Sequence, residues 1–190
     1  MARFGLFVLC LVLLLIAPAQ AQDRNPIVVI DTSLGKIRVE LDAKAAPVTV
    51  KNFLDYVDAK FYDGTLFHRV MPDFMIQGGG LEPGLKEKET KDPIKNESAN
   101  GLSNMRGAIA MARLPQPDTA TAQFFINVVD NKRLDGSKDK PGYAVFGRVI
   151  AGIDVVDKIR QVETTVVPAK MMKNVPVKDV IIRSIRREMK

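Results

Sequence analysis

The chain has 190 residues, a formal net charge of +6 at pH 7, 46% apolar residues, one histidine and one cysteine. That length suits one ordinary domain with a substantial buried core, and the basic surplus bears on solubility and encounter with acidic partners, not on fold. With so few histidines and cysteines, a zinc site would have to be built from carboxylates alone, which excludes the common zinc enzymes.

Arg3 precedes an unbroken apolar run from Phe4 to Ala17, followed by Pro18-Ala19-Gln20-Ala21-Gln22. A basic start, a short apolar core and small residues at Ala19 and Ala21 form a secretory signal, cut after Ala21. The run is shorter than the roughly 20 apolar residues of a spanning helix. Cys10 lies inside the apolar core, where a lipid-bearing cleavage-site cysteine would not sit. Cleavage leaves residues 22–190 as one domain without a cysteine, periplasmic or secreted, not inserted in a membrane and not held by an internal disulfide.

Ile27 to Ile30 reads as a strand, Gly35 as a turn, and the alternating Lys36 to Leu41 as a half-buried strand. Pro47 suits a first helical turn, and Val50, Phe53, Leu54 and Val57 fall on one apolar face, which predicts a helix over 47–58. Leu66 to Met71 and Phe74 to Gln77 are two strands around Pro72-Asp73, closed by Gly78-Gly79-Gly80. Residues 81–103 lose periodicity and gain charge, the signature of a long surface loop. Strand-like runs resume over 107–111, 123–129 and 143–150. A second helix over 153–161 is expected to bury Val156 and Ile159, and residues 177–185 supply a closing strand. Many short strands with two helices, and no βαβ alternation, give a mainly β barrel or sandwich.

No Gly-x-Ser-x-Gly elbow supplies a nucleophile, Gly78-Gly79-Gly80 lacks the context of a dinucleotide site, and no phosphate loop is present. No cofactor and no metal is expected. What remains is Phe67-His68-Arg69-Val70-Met71-Pro72-Asp73-Phe74-Met75-Ile76-Gln77-Gly78-Gly79, where Arg69 stands amid apolar residues. Strand alternation gives it a face with Phe67 and Met71, so it either points to solvent or is held in a cleft as a donor. His68 alone reads as a partly buried structural histidine. In the second segment, Met111-Ala112-Arg113 and then Thr119 to Asn127, adjacent Phe124 and Phe125 must face opposite sides of a strand.

In this order and spacing the two segments resemble the cyclophilin family, and the resemblance runs from the Ile27 strand to the final strand. It is particularly similar to short bacterial periplasmic cyclophilins at Phe124 to Val128 and Tyr143 to Gly147. The resemblance implies a closed antiparallel eight-stranded barrel capped by two α-helices, with a peptide groove on its outer wall. It also implies a peptidyl-prolyl cis-trans isomerase that turns X-Pro bonds in unfolded or folding proteins. By position, Arg69 matches the catalytic arginine, Gln77 the groove glutamine, and Phe74, Met75 and Phe125 the walls of a proline pocket. Ala112, Arg113 and Gln123 match the strip that holds the peptide backbone, Leu134 and Tyr143 the far rim, and His68 joins the substrate-binding set through its place in the motif.

The implied partners are proline-containing segments, bound by a monomer. Nucleic acid is not implied, despite Arg183, Arg186, Arg187 and Lys190. A groove that binds such segments without catalysis is the alternative, and the pairing of Arg69 with Gln77 speaks against it. Three positions depart from the best-known eukaryotic pattern: Arg133 replaces a tryptophan, Tyr143 a histidine and Arg113 an asparagine. These departures imply weak cyclosporin binding with peptide binding retained.

Overall fold

A computed structural model describes Met1 and residues 25–188; the expected signal segment lies outside the described residues. The chain opens with β1 (Ile27–Thr32) and β2 (Gly35–Leu41), then α1 (Pro47–Asp58). Next come β3 (Thr65–Met71), β4 (Met75–Gly78) and the short β5 (Leu81–Glu82) and β6 (Lys86–Glu87). β7 (Ala108–Met111), β8 (Phe124–Asn127) and β9 (Val145–Ala151) follow, then α2 (Ile153–Arg160). The described chain closes with β10 (Thr164–Val167), β11 (Met172–Pro176) and β12 (Ile181–Arg187).

Eight strands close into an antiparallel barrel in the order β1-β12-β3-β4-β8-β7-β9-β2. Closure leaves no free sheet edge, and alternation then divides each strand into an inward and an outward set. The inward set fills the interior: Ile30, Val39, Phe67, Ile76, Phe124 and Phe146 have no exposed surface. Phe124 meets Phe53, Tyr62 and Phe67 edge-on, with ring centroids 5.6, 5.6 and 6.0 Å away. Gly79, at φ +83°, turns the chain over this cluster; a Cβ there would come within 2.7 Å of the Phe124 ring and 2.9 Å of Tyr62.

The apolar stripe of α1 packs on the barrel as its spacing predicts, burying Val50, Phe53, Leu54 and Val57. Its N-cap, Ala46, has no side-chain acceptor. The carboxylate of Glu97 takes that place from a distant loop, accepting from the N–H groups of Val48 and Thr49 at 3.1 and 2.8 Å. A negative charge at a helix N-terminus is stabilising, so one acid both caps the helix and ties the long loop to the barrel. α2 buries Val155, Val156 and Ile159.

The structure departs from the sequence expectations in three places. The loop over 81–103 contains the β5–β6 hairpin and a bridge between Ile94 and Ala120. A further hairpin, β10–β11, forms a two-stranded sheet of its own that packs on β3. The closing strand starts at Ile181 rather than at residue 177, because Val175 and Pro176 end β11 and Val177 is 58% exposed in the connection. Among the described residues, no helix is long and apolar enough to cross a membrane.

Phe124→Ala should cost about 3–5 kcal/mol of stability, the usual scale for emptying a buried phenylalanine site. Urea unfolding followed by circular dichroism measures it. A loss under about 1 kcal/mol would mean that the interior can collapse around the missing ring.

Candidate functional site

An interior filled by aromatic rings leaves no room for a ligand, so a binding site has to lie on the outer wall. There the outward set of β3, β4, β7, β8 and β9 forms a second apolar cluster, in which Met75, Ala108, Ala110, Phe125 and Val145 are buried and Met71, Phe74, Leu134 and Tyr143 pack against them. Phe124 and Phe125 divide between the two clusters, as adjacent strand positions must.

Alternation fails at one position, and that failure places Arg69. Phe67 pairs with Gly78 and Arg69 with Gln77, so His68 is an extra residue in β3, a β-bulge. The bulge reverses the inside–outside phase: Phe67 and Val70 both belong to the interior, while Arg69 and Met71 look outward. The expectation that Arg69 shares a face with Phe67 is therefore corrected; it shares one with Met71 alone.

Arg69, Phe74, Met75, Gln77, Ala112, Arg113, Phe125, Leu134 and Tyr143 line one cavity of about 190 Å³. Arg69 is half-buried at its mouth, donating from Nη1 to Gln77 Oε1 at 3.3 Å and from Nη2 towards Met71 Sδ at 3.3 Å. Gln77 Nε2 donates in turn to Gln123 Oε1 at 2.9 Å. Among the described residues no carboxylate forms an ion pair with Arg69, whereas Arg148, Arg186 and Arg187 pair with Glu40, Asp63 and Asp58. Gln123 itself lines an adjoining cavity of about 410 Å³ that shares Gln77, Ala112 and Arg113 with the first.

The far rim is built from stacked groups. Tyr143 meets Phe125 edge-on at 5.7 Å, and the Arg113 guanidinium lies 4.6 Å over the Tyr143 ring. Arg113 also donates to the carbonyls of Gly142, Leu114, Pro115 and Pro141 at 2.8–3.0 Å. Its side chain thus braces two loops. Arg133 lies 4.8 Å over Phe74.

Five polar residues outside the sequence-based site set hold this rim from behind. Asn131 donates to the Phe74 carbonyl and to Asn127 Oδ1, both at 2.8 Å, and Asn127 donates to Asn104 Oδ1 at 3.2 Å. Asp135, beside Leu134, accepts from the Asn104 main chain at 2.7 Å and from Ser103 Oγ. Asn127 in the Phe-Phe-Ile-Asn segment is the one sequence signal for this network; its partners are polar loop residues whose spacing points nowhere.

His68 is placed differently from the other site residues. It is only 4% exposed and lines a separate cavity behind Arg69, not the one holding Phe74 and Phe125. Burial, opposed by a hydrogen bond to the Leu66 main chain and aided by the neighbouring Arg69 charge, pushes its pKa down to about 4.

Residues 27–187 match the cyclophilin type peptidyl-prolyl cis-trans isomerase/CLD family. The chain belongs to the cyclophilin family. It is 51% identical over 170 residues to peptidyl-prolyl cis-trans isomerase A of Dickeya dadantii, covering 90% of this chain and 88% of that one. It is 55% identical over 157 residues to peptidyl-prolyl cis-trans isomerase B of Escherichia coli, covering 81% and 94%. A crystal structure of a Cryptosporidium parvum cyclophilin type isomerase in the presence of the dipeptide Ala-Pro superposes with a TM-score of 0.74 at 26% identity, covering 86% of this chain and 99% of that one. The closed eight-stranded barrel with two helices is the cyclophilin fold, and the chain is a cyclophilin-type peptidyl-prolyl cis-trans isomerase.

The depressed pKa of His68 makes this cyclophilin acid-sensitive in a defined window. The unfolded chain takes up a proton near pH 6.5, but the folded chain excludes it until about pH 4. His68 therefore costs nothing above the upper value, and stability falls as pH drops between the two, by about 3 kcal/mol in total. Urea unfolding of wild type and His68→Gln from pH 7 to pH 4.5 should show wild type losing ground to the variant. Parallel curves would mean that His68 accepts its proton without cost.

Proposed function

We propose that Arg69 is the catalytic group of this isomerase and that the cavity beside it seats the proline ring of an X-Pro segment. The observation that carries this reading is a guanidinium with no carboxylate partner among the described residues, at the mouth of a small cavity walled by Phe74, Met75 and Phe125. At about 190 Å³ the cavity is below the roughly 300–1,000 Å³ of drug-sized and cofactor sites. That size suits a single small ring.

The reaction needs no proton abstraction and no covalent intermediate. Rotation is opposed by about 18–20 kcal/mol, because the peptide nitrogen shares its lone pair with the carbonyl. As the bond twists, the lone pair localises on the prolyl nitrogen and becomes a hydrogen-bond acceptor that the planar ground state lacks. A donor fixed at that place binds the twisted state more strongly than the substrate, which is the requirement for catalysis. Gln77, holding Arg69 Nη1 and itself held by Gln123, would keep the donor aimed. Lowering the barrier by about 7 kcal/mol would accelerate rotation about 10⁵-fold.

The clients are proline-containing segments of unfolded or folding proteins, met by an enzyme that acts as a monomer. The Ala-Pro dipeptide named with the Cryptosporidium relative supports this class of ligand. Nucleic acid is disfavoured because Arg186 and Arg187 are neutralised by Asp63 and Asp58, and Arg183 lies 3.9 Å from Asp31. Residues 1–21 direct export to the periplasm or beyond and are removed, as their charge and apolar pattern supports.

A proline-peptide isomerisation assay on residues 22–190 tests the assignment. Arg69→Ala should lose about 2–4 kcal/mol of transition-state stabilisation in kcat/KM while remaining folded; activity within about twofold of wild type would end its catalytic role. Phe125→Ala should raise KM at least as much as it lowers kcat. Cyclosporin should inhibit at least about tenfold less well than it inhibits a tryptophan-bearing cyclophilin, because the Arg133 head is charged where an indole is broad and apolar. Arg133→Trp should recover part of that potency, and equal inhibition of all three proteins would show that position 133 is not the edge that matters.

A further inference from the structure

We infer that the cavity on the far side of Arg69 from the proline pocket is a subsite for an acidic side chain close to the client's proline. This deepens the reading above and rests on it. The cavity, of about 630 Å³, shares Arg69 and Gln77 with the proline pocket, so the two adjoin at these side chains.

Its outer walls come from two hairpins outside the barrel's own strand order. One is the β5–β6 hairpin, which supplies Lys86 and Glu87; the other is the tip of the β10–β11 hairpin, which supplies Lys170 and Met172. Both hairpins are separate two-stranded sheets outside the closed barrel. Both tips hold a non-glycine residue in the left-handed region, Leu85 at φ 55° and Met171 at φ 54°, the latter capping the short turn Pro168–Lys170. Met171 is 92% exposed beside the cavity, so apolar burial does not account for the shape of that tip.

The charge of the cavity has one prevailing sign. Arg69, Lys86 and Lys170 face it, with Glu87 as the one opposing acid among its lining residues. Among the described residues neither lysine forms an ion pair, unlike neighbouring Lys88, which reaches Glu82 at 3.6 Å and stacks over Phe61. His68 is neutral above about pH 4 and adds no charge. A carboxylate on the client, brought in by the main chain that presents the proline, would meet the half-buried Arg69 and two exposed lysines. A lysine there would be repelled.

The test is a set of matched peptides carrying Ala, Asp or Lys at each of the two positions before and after proline, with kcat/KM measured at low salt and at about 0.5 M NaCl. Asp should exceed Ala by about three- to fivefold at one of these positions, the scale of an exposed ion pair, and Lys should fall below Ala there. Salt should erase the difference. Lys86→Glu combined with Lys170→Glu should reverse the ranking at that same position. A ranking unchanged in the double variant, an absence of charge preference at any position, or an equal preference at all four would each overturn the subsite, the last because only long-range attraction by net charge would remain. Arg69→Ala on the all-Ala peptide separates the two ideas: loss of activity there with a flat charge series removes the subsite alone, whereas retained activity removes the proposed catalytic assignment as well.

Discussion

A β-strand has two faces, and a small closed barrel commits one of them to filling its own interior. In this chain that interior is occupied by Phe67, Phe124, Phe146 and aliphatic neighbours with no exposed surface. Everything the protein offers a substrate must then come from the outward residues of a few adjacent strands and from the loops around them. The outward positions of β3, β4 and β8 supply Arg69, Met75, Gln77 and Phe125 because these strands are neighbours in the barrel order, although β8 lies about fifty residues further along the chain. Pairing of Gln77 with both Arg69 and Phe125 in the ladder puts the donor, its orienting amide and the apolar wall side by side. The site is a consequence of strand order and register.

The bulge at His68 is the point at which this arrangement is decided. With unbroken alternation from Phe67, Arg69 would be aimed into the interior, where an unpaired guanidinium would carry a prohibitive desolvation cost. One inserted residue returns it to the surface. The inserted residue is itself buried, which leaves a neutral imidazole where a charged one would be expensive. The same local irregularity thus positions the cation and suppresses a second positive charge directly beside it.

Legibility in the sequence follows from this physics. Strands β1 and β2 and helix α1 are readable because one face of each is buried, so apolar residues recur at the period of the element. The β10–β11 hairpin is not, since neither of its faces is regularly buried and its residues carry no period. The phase of Arg69 is not readable either: a bulge is a pairing event between β3 and β4, invisible in β3 alone. Residue types by themselves left Arg69 between solvent and cleft, and the family resemblance supplied its assignment to a groove. Asn104, Asn131 and Asp135 escaped both routes, because hydrogen bonds across 23 to 57 residues leave no local pattern.

A contrast among the arginines links stability to function. Those on the outer wall away from the groove are matched to carboxylates, Arg38 to Glu188, Arg148 to Glu40 and Arg187 to Asp58, and exposed pairs of this kind contribute only about 0–1 kcal/mol each. Arg113 is held by carbonyls and Arg133 lies on an aromatic ring. Among the described arginines only Arg69 has just a neutral amide and a thioether for company. A carboxylate partner would hold it more firmly, but it would also occupy the N–H groups and offset the charge that a localising lone pair could draw on. An amide can orient a guanidinium while leaving that charge uncompensated, and Gln77 can do so only because Gln123 fixes its other end. In the proposed mechanism, the polar row Arg69–Gln77–Gln123 gives up a little local stability for a donor that remains available when the bond twists.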